Sequence, residues 1–422
     1  MHSTAFRSRR FRNWFPLGLT YAAYYMGRYN FNVAKGTLGQ VFGLDKAQLG
    51  VIATAGFWTY ALSVILNGPL ADRFGGKRAI LIGACGAAAL NLTIGLLFLG
   101  GWHTRLVLGL SLLYAANCWF QSFGALSVVK INAAWFHVRE RGFFGGVFST
   151  LISLGYALAL GLGGFLLTHF GLPAVFLAPA LLLALLASVD ALIVQDTPEG
   201  AGFSAFDPGD ASSGAPAPTG LVAVARKVFT DPIMLTLAAA EFCTGWVRQG
   251  LLLYFVEFLH EVHGVALDSG LFFVASNGVT VGGVLGGLLC GFLSDRVFQS
   301  RRAPVAFLFY CAQALSLLAL GLTHSALAAS VLVGFSCIWI FGVHGMLSGT
   351  AAADFGGVKA AATATGMLDG VQYLASGFTG FGLGWAVKTY GWAPWTWCLI
   401  PVSLLGAAIV SRLWNARPAA TA

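Results

Sequence analysis

Charge is what this sequence most lacks. Of 422 residues only 9% are Asp, Glu, Lys or Arg, against 57% hydrophobic and 14% aromatic. A soluble domain carries about 25% charged residues, so this chain cannot cover a water-facing surface of ordinary size. That excludes a soluble globular fold, a disordered chain, a coiled coil and a nucleic-acid-binding protein. The seven cysteines fall in apolar stretches and form no CxxC pair, which excludes a secreted disulfide scaffold and offers no metal site. There is no P-loop, no histidine spacing suited to a metal, and no nucleophile–base–acid set. Neither an enzyme nor a bound cofactor is expected. The short alternating segments of a membrane β-barrel are missing as well.

Long apolar runs are what it has in abundance. A helix needs about 20 apolar residues to cross the hydrocarbon of a bilayer. Such runs lie near 14–34, 49–71, 79–99, 106–134, 142–167, 173–194, 233–258, 268–293, 304–323, 327–352, 360–387 and 393–412. The expected fold is therefore an all-α membrane protein of twelve transmembrane helices, in two pseudo-symmetric six-helix bundles. The Pro-, Gly- and Ser-rich stretch 195–231 reads as a central linker between bundles at 1–194 and 232–422.

Basic residues set the expected orientation. Arg7, Arg9, Arg10, Arg12, Arg73, Lys77, Arg78, Arg139, Arg141, Arg226, Lys227, Arg296, Arg301, Arg302, Lys359, Arg412 and Arg417 fall on the side of the termini, and only Lys35, Lys46, Arg105 and Lys388 on the other. The positive-inside rule then places both termini and the linker in the cytoplasm. The net charge of +8 needs no nucleic acid to explain it. A plasma membrane or bacterial inner membrane is expected, without a cleaved leader, because the basic start runs straight into a full-length span. The expected partners are the lipid bilayer and a small anionic solute, with the chain acting as a monomer.

The two halves resemble each other. GPLADRFGGKR at 68–78 recurs as GFLSDRVFQSRR at 291–302, and Arg28 in the first span corresponds to Arg248 in the seventh. Parallel repeats of this kind place a substrate site near the midplane between the halves. The first motif resembles the loop signature of the major facilitator superfamily. YAAYYMGRYNF at 21–31, WFQSFG at 119–124, VRQG at 247–250 and LCGFLSDRVF at 289–298 resemble, within it, the organophosphate:phosphate antiporter family, which includes glycerol-3-phosphate and hexose-phosphate exchangers.

Charges inside the spans carry the candidate chemistry, because each costs on the order of 2.5–3.5 kcal/mol at the bilayer centre. Arg28 and Arg248 fall at nearly one depth, where two guanidinium forks can grip a tetrahedral oxyanion. Tyr21, Tyr24 and Tyr25 share the helical side of Arg28 and are candidates to line the cavity or to form an aromatic packing stripe. The resemblance also implies cavity roles for Tyr60 and Tyr373. Lys130 in span four either receives the anion or snorkels. Glu241 and Asp369 are candidate coupling or selectivity groups, Glu241 by pairing with Arg248 when no anion is bound. Glu257, near a span end, reads as solvated, and His344 as an ordinary core histidine. Asp72, Arg73, Arg78, Arg139, Glu140, Arg141, Asp295 and Arg296 read as gating elements at the cytoplasmic loops.

The chain departs from the family where glycerol-3-phosphate exchangers have titratable residues: the matching positions are Ile152, Val64, Leu253 and Thr280. The resemblance implies exchange of an organophosphate for inorganic phosphate by alternating access. A sugar-phosphate sensor on the same fold, or a proton- or sodium-coupled symporter of organic anions, remains the alternative.

Overall fold

A computed structural model of the chain describes residues 3–137, 151, 153–204, 226, 230–299, 301–351 and 361–416. Among them there is no strand, and twelve long helical segments follow one another. The first half holds α1 (Thr4–Phe42), α2 (Lys46–Phe74), α3 (Gly76–Leu99), α4 (Leu106–Gln121, continued as Phe123–Trp135), α5 (Ser153–Phe170) and α6 (Leu172–Ile193). The second holds α7 (Pro232–His263), α8 (Gly270–Phe292), α9 (Arg302–Leu322), α10 (Ala326–His344), α11 (Ala361–Tyr390) and α12 (Pro394–Ser411).

Among the described residues nine of these segments are long and apolar enough to cross a membrane. The other three, α1, α7 and α11, are the longest helices, with 39, 32 and 30 residues. What dilutes their apolar character is what makes them interesting: Arg28 on α1, Glu241 and Arg248 on α7, Asp369 and Gln372 on α11. The most polar spans are thus the ones that meet at the centre.

Local signals explain the helix limits. α1 ends at Gly43, whose φ of 66° is a left-handed cap that glycine adopts without strain. Two residues later Asp45 opens α2 with a capping box: its side chain accepts from Gln48 N at 2.9 Å while Gln48 Oε1 accepts from Asp45 N at 3.0 Å. The helix α1 therefore runs beyond the expected limit at 34, which draws Lys35 into the protein rather than into an outer loop. A turn at Ser122 breaks α4, and its hydroxyl accepts a hydrogen bond from Asn67 at 2.8 Å. After Ile193 the chain stays docked on the first half. Asn13 and Trp135 both donate to the Gln195 carbonyl, and Asp196 accepts from Lys77 N at 2.7 Å.

The halves meet along α2 with α11, α5 with α8, and α1 with α7. Small residues allow this: a Cβ on Gly50 of α2 would overlap the Gly380 carbonyl of α11. Within the second half, a Cβ on Gly245 of α7 would likewise overlap the Gln372 carbonyl of α11. That close approach brings Arg248 within reach of the Gln372 side chain.

Candidate functional site

Arg28 and Arg248 project from the first helix of each half and are 2% and 4% exposed. Tyr373 on α11 joins them. Its hydroxyl accepts a hydrogen bond from Arg28 Nη1 at 3.3 Å, and its ring centre lies 5.4 Å from the Arg248 guanidinium carbon. The remainder of the Arg28 shell is aromatic, with that carbon 4.5 Å from the Tyr25 ring, 4.8 Å from Tyr60 and 5.4 Å from Tyr29. Cation–π contacts of this kind contribute about 0.5–2 kcal/mol each and offset part of the desolvation cost. Arg248 donates instead to Gln372 Oε1 at 2.9 Å.

Each guanidinium has five N–H donors, and each spends one on the protein in these contacts. Both Nε atoms are buried without a partner. Among the described residues neither guanidinium is ion-paired with a carboxylate. Two buried cations with spare donors, one from each half, form a ready receptor for an oxyanion.

The other sequence candidates divide. Tyr21, Tyr25, Tyr60 and Tyr373 cluster around Arg28, with Tyr60 and Tyr373 rings 4.2 Å apart and Tyr21 and Tyr25 5.5 Å apart. Tyr24 does not join them: its hydroxyl donates to the Ile80 carbonyl at 2.8 Å, so it packs α1 on α3. Lys130 Nζ donates to the Ala71 carbonyl at 3.1 Å, near the end of α2. Glu241 does not pair with Arg248. It is fully buried, no side chain among the described residues hydrogen-bonds its oxygens, the Ser348 backbone amide faces it, and His344 Nδ1 lies at 3.6 Å. Asp369 is partly buried on α11, one turn before Tyr373. Arg73, Arg78 and Arg296 are exposed. The side chains of Asp72 and Asp295, and all of Arg139, Glu140 and Arg141, lie outside the described residues.

Several residues in and around the site had no sequence signal. Tyr29 accepts hydrogen bonds from Tyr156 of α5 at 3.2 Å and from Gln249 of α7 at 3.1 Å, a further seam between the halves. The clearest omission lies at the end of the bundle remote from the termini. Lys35 is fully buried, 2.7 Å from Glu257, and donates to the Leu253 carbonyl at 2.6 Å. Lys46 lies 2.7 Å from Glu257 and 2.5 Å from Glu261, and Lys388 2.8 Å from Asp45. Glu257 is 2% exposed, not solvated as its place near a span end suggested. The Lys35 and Lys46 ammonium groups both lie against its carboxylate.

The arrangement of polar long helices around a central basic pair, repeated in both halves, has a counterpart among known families. Residues 17–380 match the family described as Major Facilitator Superfamily. The chain belongs to the major facilitator superfamily. It is thus an integral membrane transporter by family, not an enzyme. Within the superfamily it is 28% identical to the probable hexose phosphate transport protein of Chlamydia pneumoniae, covering 96% of this chain and 91% of that one. It is 26% identical to the glycerol-3-phosphate transporter of Bacillus subtilis, covering 97% and 94%. It is also 26% identical to the membrane sensor protein UhpC of Salmonella typhimurium, covering 91% and 88%. These matches agree with the resemblance to the organophosphate:phosphate antiporters carried by the motifs.

Proposed function

We propose that this transporter carries a small phosphorylated organic anion across the membrane by alternating access, in exchange for inorganic phosphate. The observation that carries the proposal is the pair Arg28 and Arg248, buried, bridged by Tyr373 and in no ion pair among the described residues. A bound dianion satisfies the open N–H donors and cancels the charge that an empty site would have to move through the barrier. Obligate exchange follows, because the site crosses readily only when filled. Tyr25 and Tyr60 of the first half and Tyr373 of the second shape the wall around Arg28, and Gln372 holds Arg248 in place while the site is empty. The names of the phosphate-ester transporters among its relatives support the substrate class.

In this scheme the lysine–glutamate cluster closes one end while substrate enters from the other. With the termini and the 195–231 linker in the cytoplasm, as the basic residues indicate, the closed end faces outward and the division at 1–194 and 232–422 marks the rocking halves. One relative is a sensor by name, so signalling in place of transport is the reading to be separated. Counterflow in proteoliposomes does so. Phosphate-loaded vesicles take up labelled hexose phosphate or glycerol phosphate without an ion gradient if the proposal is right. Uptake that requires a proton or sodium gradient, or no uptake despite phosphate-ester binding, overturns it.

A further inference from the structure

We propose that Glu241 and His344 form a proton-binding site linked through Gln372 to the anion at Arg248, so that a proton travels with the substrate. The inference rests on the anion reading above and adds a second, cationic cargo to it.

The argument starts from a donor that cannot accept. Guanidinium nitrogens only donate, so Arg248 turns Gln372 Oε1 toward itself, at 2.9 Å. The other end of the same amide, Nε2, then faces His344 Nδ1 at 3.2 Å. An NH2 group is a donor too, so Nδ1 must accept and carries no proton while this contact lasts. Ser348 does not change that, since its hydroxyl is given to the His344 carbonyl at 2.8 Å. On the far side of Nδ1, at 3.6 Å, lies Glu241 Oε2. No side chain among the described residues hydrogen-bonds either Glu241 oxygen, the Ser348 backbone amide faces the carboxyl, and the residue is fully buried. A buried carboxyl and an imidazole lone pair, face to face with no side-chain donor between them, form a site for one proton. A proton shared between them satisfies both and neutralises a buried charge.

Substrate supplies the switch. An anion that takes over the Arg248 N–H groups releases Gln372 Oε1, and with it the constraint on the Gln372 amide. Nδ1 is then free to bind a proton and share it with Glu241. The anion also cancels the Arg248 charge, which otherwise opposes a cation on His344. Both effects have one sign, so anion and proton bind cooperatively, and by linkage each raises the affinity of the other. The groups that act on this pair are Arg248 and Cys243 of α7, Tyr310 of α9 and Asp369 of α11. Of these, Arg248 alone is a cation, and it is the one the substrate neutralises.

Position fits the task. Glu241 is two helical turns before Arg248, about 10 Å nearer the termini at 1.5 Å per residue. The opposite end is closed by the Lys35–Glu257–Lys46 cluster. The His344 side chain retains 21% exposure, which gives the proton a way in from the same side as the anion.

The test titrates inorganic phosphate into the purified chain by calorimetry, in two buffers of different ionisation enthalpy, across neutral pH. The titration of phosphate itself is common to all samples, so differences between variants report protons bound by the protein. The wild type is expected to take up as much as one more proton per phosphate than Glu241→Gln or His344→Gln. Its affinity should fall with rising pH more steeply than theirs, by up to about tenfold per unit. Gln372→Leu, which keeps both titratable groups but cuts the link, should also lose the extra proton. Should Glu241→Gln not fold, His344→Gln carries the comparison. Equal proton counts in wild type and variants that still bind phosphate overturn the proton site and leave the anion reading intact. A wild-type chain that binds neither phosphate nor hexose phosphate overturns both.

Discussion

Two groups of cations behave oppositely in this molecule. At the end remote from the termini, Lys35 and Lys46 are tied to Glu257 and Glu261, and Lys388 to Asp45. At the centre, Arg28 and Arg248 have tyrosine rings, one hydroxyl and one amide, and no paired carboxylate among the described residues. Lys35 and the two arginines pay the desolvation cost of a charge in a low-dielectric interior. The outer set recovers it within the protein and therefore acts as a clasp between the halves. The central set leaves part of it unrecovered, and in the proposed scheme a ligand recovers it. The difference between a latch and a receptor is whether the protein supplies the counter-ion.

The largest effect should come from breaking the receptor while keeping its charge. Arg28→Lys and Arg248→Lys each preserve a cation but remove the planar fork that matches a phosphate. Each is expected to lower counterflow at least about a hundredfold, roughly 2.7 kcal/mol of transition-state stabilisation at about 1.4 kcal/mol per tenfold. Protein yield and melting temperature should stay near wild type. Normal exchange by either variant means that the central cations are structural, like the outer ones.

Breaking the latch should appear in stability rather than chemistry. Glu257→Gln leaves Lys35 buried with no acid, a loss of about 3–5 kcal/mol for an uncompensated charge. A lower melting temperature is expected, together with faster labelling of a cysteine placed at Thr37 from the side remote from the termini. Adding Lys35→Met removes the orphaned charge and should restore much of the melting temperature. If the double variant is no better than the single one, the pair is not what clasps the halves.

The contrast also explains what could be read from the chain beforehand. The spans were legible because lipid demands long apolar runs, and each of the twelve runs holds a helix among the described residues, with 142–150 and 152 of the fifth lying outside them. Arg28 and Arg248 were legible because a charge stands out against such a run. Lys35 was not, since it sits one residue past the end of its apolar stretch and only the helix continuing to Phe42 buries it. Its partner Glu257 is in the other half, and no local spacing connects them. Gln372 is uncharged and His344 reads as an ordinary core histidine, so their contact with Arg248 and Glu241 exists only in the packed molecule. Tyr24 and Tyr25 share a helix face too broad to separate. Packing of α1 on α3 is what turns one toward the Ile80 carbonyl and leaves the other beneath Arg28.

A milder cut at the receptor is Tyr373→Phe. It keeps the ring beside Arg248 and removes only the hydroxyl that accepts from Arg28. The loss of one hydrogen bond to a charged group, about 1.5–3 kcal/mol, is shared between empty and filled states if the anion moves that donor. The expected result is a few-fold rise in KM for phosphate-ester uptake, with little change in melting temperature. A large drop in stability with KM unchanged would make Tyr373 a packing residue only.

The smallest effect belongs to the outermost tie. Lys388 at 2.8 Å and the amide at the start of α2 hold the Asp45 carboxyl below its ordinary range, the lysine being the larger cause. A carboxyl depressed in the folded state adds stability that is complete above its unfolded pKa, about 3.9. That contribution disappears as pH falls through the folded value. The pair is 50% and 35% exposed, so screening by water and salt keeps its contribution under about 1 kcal/mol. Asp45→Asn should therefore lower the melting temperature slightly at neutral pH, and the difference from wild type should shrink under acid conditions and at high salt. Glu257→Gln, whose acid is buried, should show far less dependence on salt. An equal salt dependence in the two variants would mean that water reaches the inner pair as freely as the outer one, and the latch would then be no stronger than a surface contact.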